Sequence, residues 1–134
     1  MNAQVQVGGG RESFSLEEAR AVANWAAEMG IKGPRVGNQD FFGEGDIYLI
    51  ALLIIYRDEG CDTAFLRESL KSKLVFSPSD RMPLENRPDY RIDQIIRNLV
   101  SHRTLERYGY AQRRQGRWFI TEKGERVLAL LGWI

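Results

Sequence analysis

The sequence has little of what most catalytic sites are made of. Cys61 is the only cysteine and His102 the only histidine among 134 residues, so neither an intrachain disulfide nor a Cys/His zinc site can be assembled. Both read as packing residues, and no motif calls for a cofactor or a metal. The longest apolar run, Ile47 to Tyr56, is far short of the ~20 residues that span a bilayer, which makes it a core segment and excludes a membrane partner. The first residues, MNAQVQVGGGRESF, have no charged segment leading into an apolar one, as an export signal would. Residues 1–14 are therefore expected to be a flexible leader, and the protein to be cytoplasmic. Proline is scarce too, and three of the four fall in the stretch SPSDRMPLENRP, which predicts a loop there.

What is present is a soluble composition, 43% hydrophobic and 28% charged, on a chain long enough for one core. The net charge of +1 hides an uneven distribution. Lys and Arg number 5 against 9 acids over residues 1–60, 4 against 4 over 61–86, 8 against 3 over 87–117, and 2 against 2 thereafter. All eight cations of the basic quarter are arginines, with Tyr108, Tyr110 and Trp118 in or beside it. Arginine supplies planar paired donors for phosphates and guanine edges, so the cluster points to a polyanionic partner. A solvated charged face is the alternative.

Ser15-Leu-Glu-Glu18 is a capping box and Gly30 a left-handed stop, which predicts a first helix from Leu16 to Met29 with Leu16, Ala19, Val22, Ala23, Ala26 and Met29 at helical spacing. The glycine-rich stretch to Gly45 reads as a linker, so residues 15–45 form an N-terminal helix and linker. Residues 46–134 form the main domain. Its first helix starts near Asp46, ends at Gly60 and is apolar almost all round, which makes it the central one. The next is capped by Asp62 or Thr63 and turns Phe65, Leu66, Leu70 and Leu74 inward. After the loop, Pro88 suits the first turn of a helix from Asp89 to His102.

In that helix Ile92, Ile95, Ile96, Leu99 and Val100 make one apolar stripe, leaving Tyr90, Gln94, Arg97 and Ser101 opposite, with Arg91 and Asn98 flanking. Arg pairs bidentately with guanine, Gln and Asn with adenine, and Ser or Tyr contacts phosphate. Asp93, near the same side, would repel phosphate. Leu105 to Gln112 is strand-like, Arg113 to Gly116 a turn, and Arg117 to Ile120 a second strand anchored by Trp118. Thr121 caps a last helix. Three helices, a basic hairpin and a closing helix is the order of a winged helix-turn-helix, here with an extra N-terminal helix: mainly α with a small β-hairpin. In such a fold the third helix of the set enters the major groove and the wing reaches the backbone or minor groove. The DNA-contact candidates are Arg87, Tyr90, Arg91, Gln94, Arg97, Asn98 and Ser101 on or beside the helix, and Arg113, Arg114, Gln115 and Arg117 on the wing.

Asn86-Arg87, the aromatic Tyr90, the helix to Leu99, Leu105-Glu106, Gly116, Trp118, Ile120-Thr121, Gly124 and Val127-Leu128 resemble the pattern of the winged-helix domain at the N-terminus of Mrr-type restriction endonucleases. The resemblance runs from about Ile47 to Leu131, with Tyr90 where that family usually has Trp and Ser101-His102 where it tends to have a small residue. It implies a DNA-recognition module. Such nucleases cut with a separate domain holding a D…ExK metal site, and this chain contains no Glu-x-Lys.

The expectation is thus a non-enzymatic protein that binds double-stranded DNA, as a transcription regulator or as the recognition part of a restriction system. A winged helix that binds protein is the alternative, and the two separate on whether Arg91, Arg97, Arg113, Arg114 and Arg117 share one face. A Cys61–His102 nucleophile pair, or a cation in the GNQDFFGEGD loop, would be needed for enzymatic readings. The apolar run VLALLGWI and the N-terminal helix are expected to pack on each other or across a homodimer.

Overall fold

The computed structural model describes residues 12–80 and 90–134. Along the chain lie α1 (Leu16–Glu28), α2 (Glu44–Arg57), α3 (Thr63–Lys73), α4 (Arg91–Ser101), α5 (Thr104–Arg107), β1 (Ala111–Arg114), β2 (Arg117–Ile120) and α6 (Glu122–Leu130). The architecture is mainly helical with a two-stranded antiparallel wing, in the order read from the sequence except for α5, which was not expected. Arg87 and Pro88 lie outside the described residues.

α2 is central because every side of it has a neighbour. Ile47 to Ile55 are all buried, against α1, α3, α4, α5, α6 and β2. α1 begins as its capping box requires, Ser15 Oγ accepting from the Glu18 amide at 3.1 Å and Glu18 Oε1 from the Ser15 amide at 3.0 Å. It lays Ala19, Val22, Ala23 and Ala26 on α2. Arg20 then clamps Asp46, donating to both carboxylate oxygens at 3.1 and 2.9 Å and to the Gln39 carbonyl at 2.7 Å. Asp46 also accepts from the Gly43 amide at 2.9 Å, so α2 opens at Glu44, ahead of the expected Asp46. The segment 15–45 shares one core with the rest of the chain.

The expected leader, residues 1–14, does not take in Glu12 to Phe14, and residues 1–11 lie outside the described residues. Phe14 is fully buried, its amide donates to the Lys73 carbonyl at 2.7 Å, and its ring meets Trp133 at 5.6 Å between centroids. Glu12 pairs with Arg57 and Lys73. A buried aromatic ring and a paired carboxylate fix residues 12–14 on the end of α3.

Asp62 caps α3, accepting from the Phe65 amide at 2.8 Å, and Leu66, Leu70 and Leu74 point inward. Phe65 does not, being 45% exposed, because one 100° step carries it off the Leu66–Leu70 row. The stretch expected to open as a strand at Leu105 is instead a single helical turn, α5, with Thr104 and Leu105 buried. Arg103 before it and Gly109 after it take positive φ, +54° and +79°, which turns the chain into β1 only at Ala111.

Arg113 and Arg114 therefore stand in the strand, and the turn is Gln115-Gly116 alone, with φ of +51° and +74°. Two positive φ values make the mirror-image turn whose twist suits a two-residue hairpin. The register pairs Arg113 with Trp118 and Arg114 with Arg117. Trp118, 1% exposed, fixes the wing: its backbone joins Gly60 and Cys61 at 2.7 and 2.8 Å, and its indole donates to Thr63 Oγ1 at 3.1 Å. Thr121 caps α6 through the Gly124 amide at 3.0 Å. Val127, Leu128, Leu131 and Trp133 are buried within the chain, so most of the apolar surface that motivated a homodimer is already covered. Among the described residues no helix is long and apolar enough to cross a membrane.

Candidate nucleic-acid interface

α4 owes its position to its stripe. Ile92, Ile96 and Leu99 are buried, Ile95 and Val100 half-buried, and the helix packs on α2. The opposite face turns outward. Tyr90, the N-cap residue, is 49% exposed; Arg97 and Ser101 are exposed and Gln94 and Asn98 half-exposed. These side chains are linked. Arg97 Nη1 donates to Gln94 Oε1 at 3.3 Å, and Gln94 Nε2 donates to Asn98 Oδ1 at 2.8 Å.

Asp93 is less of an obstacle to phosphate than its charge implies. One oxygen accepts from Lys71 on α3 at 3.0 Å and the other from the Tyr90 amide at 3.1 Å. Burial by itself would push its carboxyl up, but those hydrogen bonds and the charges of Lys71 and Arg97 outweigh it and hold it below the usual carboxylate range. Asp93 closes the first turn of α4 and fastens α4 to α3.

Between α3 and α4 lies a hollow of about 390 Å³ lined by Thr63 and Arg67 on one side and Asp93, Ile96, Arg97, Val100 and Ser101 on the other. Arg67 was not singled out in the sequence because it lies outside the basic quarter, yet Leu66 and Leu70 inward imply Arg67 outward.

The wing divides its arginines between two sides. Arg113 shares a side with Trp118 and rests over its ring at 5.0 Å, half-buried and 3.9 Å from Glu106. Arg114 shares the other side with Arg117 and lies over Phe119 at 4.4 Å. Arg117 donates to the Gly60 carbonyl at 2.9 Å and lines a hollow with Asp58, Glu59 and Asp62, an acidic setting that weakens its claim on phosphate. Arg91 is likewise turned aside, its guanidinium 4.0 Å over Phe41 and donating to the Ser79 carbonyl at 3.2 Å. The five arginines do not share one face. What the structure does assemble is a second basic hollow of about 370 Å³, between α5 and β1, lined by Arg103, Gln112, Arg113 and Arg114 around Glu106. Gln115 is exposed at the tip.

The residues weighed for catalysis have other partners. His102 Nδ1 lies 2.8 Å from Glu44, which also accepts from Thr104 at 2.7 Å. Burial, then the Asp58 and Asp62 carboxylates, push the Cys61 thiol up, away from the reactive thiolate. Of the acids in the GNQDFFGEGD loop, Asp46 is held by Arg20, Glu44 by Thr104, and Asp40 accepts from Ser79 at 2.9 Å. No group of three or more His, Cys, Asp or Glu able to hold a metal ion occurs among the described residues. No protein-family profile, curated protein or solved structure matches the chain.

Proposed function

We propose that this chain is a non-catalytic winged-helix protein that binds duplex DNA in the cytoplasm, as a regulator or as the recognition module of a restriction system. α4 lies in the major groove with Arg97, Asn98 and Ser101 toward the bases. Arg103, Arg113 and Arg114 follow the phosphate backbone beside it. One observation supports this above the others: Arg67 and Arg97 line the two walls of the α3–α4 hollow, and its one carboxylate, Asp93, is already engaged by Lys71. An electrophoretic shift assay with mixed-sequence duplex tests it. Raising salt from about 50 to about 200 mM should weaken binding by about tenfold or more, because neutralised phosphates release counterions.

The dispersal of Arg91 and Arg117 favours a second reading, a protein-binding winged helix. Exposed Phe65 lines the same hollow as Arg117, an apolar and charged pair of the kind found at protein interfaces. Absence of any shift at low salt would reject the DNA reading in favour of this one.

A further inference from the structure

We propose that copies of this chain associate head to tail, the exposed Phe65 of one copy and the carboxylates around it seating in the basic hollow between α1 and α6 of the next. Helical spacing builds the socket. On α6, Lys123, Arg126, Val127 and Leu130 fall at i, i+3, i+4 and i+7, so one stripe carries two cations and two apolar side chains. Met29 and Lys32, at and just past the end of α1, complete a hollow of about 430 Å³. Leu130 is 59% and Met29 37% exposed, apolar surface that a single copy leaves uncovered. Lys32 and Lys123 have no carboxylate partner among the described residues, and Arg126 meets Glu122 at 3.5 Å with both side chains mostly exposed. Glu125 falls on the far side of α6.

The complementary knob lies at the other end of α2. Asp58 is the C-cap of α2, and Asp58, Glu59 and Asp62 line a hollow of about 350 Å³ with Phe65 and Arg117. Asp62 accepts from the Phe65 amide at 2.8 Å and Glu59 from the Ile120 amide at 3.2 Å, but amides carry no charge, so three carboxylates stand against one arginine. The socket sits by the start of α2. Gly33 lies against the Tyr48 ring, and Tyr110, which lines the socket, donates to the Lys32 carbonyl and stacks on Tyr48 at 6.5 Å between centroids. A helix of 14 residues is about 20 Å long, so one copy cannot bring its own two hollows together. An aromatic ring among acids matches an apolar floor among cations in both charge and kind, and a second copy joins them. The two surfaces differ, so the contact is heterologous and can repeat from copy to copy. No residue of α4 lines either hollow, and the contact is independent of the DNA reading.

Sedimentation velocity on the chain without DNA tests this. A single ring and a few ion pairs make a small contact, so the dissociation constant should be on the order of 100 µM at low salt. Raising salt from about 50 to about 500 mM should return the protein to monomer. Phe65→Ala removes the ring, and Lys123→Glu puts an acid in the socket at the first turn of a helix, where an acid suits the dipole. Each variant should be monomeric, with circular dichroism showing the parent fold. Mixed one to one, the two should form a dimer, since Phe65→Ala keeps its socket and Lys123→Glu keeps its ring. A parent chain still monomeric at about 500 µM and low salt would overturn the inference. So would association that survives either substitution, or two variants that stay apart when mixed.

Discussion

Lys71 on α3 and Asp93 on α4 meet at 3.0 Å, and this contact decides whether the outward face of α4 carries a bare negative charge. Asp93 titrates below the usual carboxylate range in the folded chain. Its contribution to stability is therefore present above the ordinary carboxyl pKa and lost as pH falls through the lower, folded value. Asp93→Asn should cost about 0.5–1 kcal/mol at neutral pH for so partly exposed a pair. Urea midpoints measured down the acid limb should converge for the two proteins; a gap that stayed constant would show that the charge of Asp93 contributes nothing.

Lys71→Ala leaves the carboxylate without its cation. Binding to every duplex should weaken by about threefold or more at low salt, and Lys71→Ala with Asp93→Asn together should recover most of the loss. Filter binding of the four proteins checks this, and failure of the double variant to recover would mean that Lys71 acts by touching DNA itself.

Trp118 is the wing's anchor, with three of its attachments on the turn and first residue of α3. Trp118→Ala should cost about 3–5 kcal/mol in guanidinium unfolding. Thr63→Val, which removes only the acceptor of the indole N–H, should cost about 1–3 kcal/mol.

Arg114 and Arg117 are register partners with different surroundings. Arg114→Ala should lower the slope of log affinity against log salt by about 1, whereas Arg117→Ala, committed to the Gly60 carbonyl among three acids, should leave the slope unchanged. Equal effects from both would mean that the acidic surroundings do not withhold Arg117 from phosphate.

Gln115 sits at a positive φ that long side chains enter reluctantly and asparagine enters readily. Gln115→Asn should raise stability by about 0.5–1 kcal/mol without changing affinity. A loss of affinity with stability raised would show that the Gln115 side chain contacts the partner.

The helices were legible where a local rule settles them: the capping box at Ser15, the stop at Gly30, the isoleucine stripe of α4. Less legible were the features set by distant residues. Leu105 to Tyr110 has two strand-forming tyrosines, but burial of Thr104 and Leu105 and the reversals at Arg103 and Gly109 wind its start into a turn of helix. Arg91, Arg113 and Arg117 look like any other arginines of the basic quarter until Phe41, Trp118 and Gly60 are seen to hold them. Asp93, read as repelling phosphate, needs its partner 22 positions earlier to be understood. Arg67 is hidden by the opposite fault, since it lines the α3–α4 hollow from a charge-balanced segment.

The pairing of β2 on both flanks, with β1 on one side and the Gly60–Cys61 backbone on the other, leaves β1 as the wing's open edge among the described residues. An open edge is a template for another chain's strand, and charged side chains are a common protection against it. Gln112, Arg113 and Arg114 stand on that edge. The positive charge proposed to draw a polyanion is also of the kind that keeps one copy's wing from zipping onto the next, so neutralising both arginines at once should cost solubility as well as affinity.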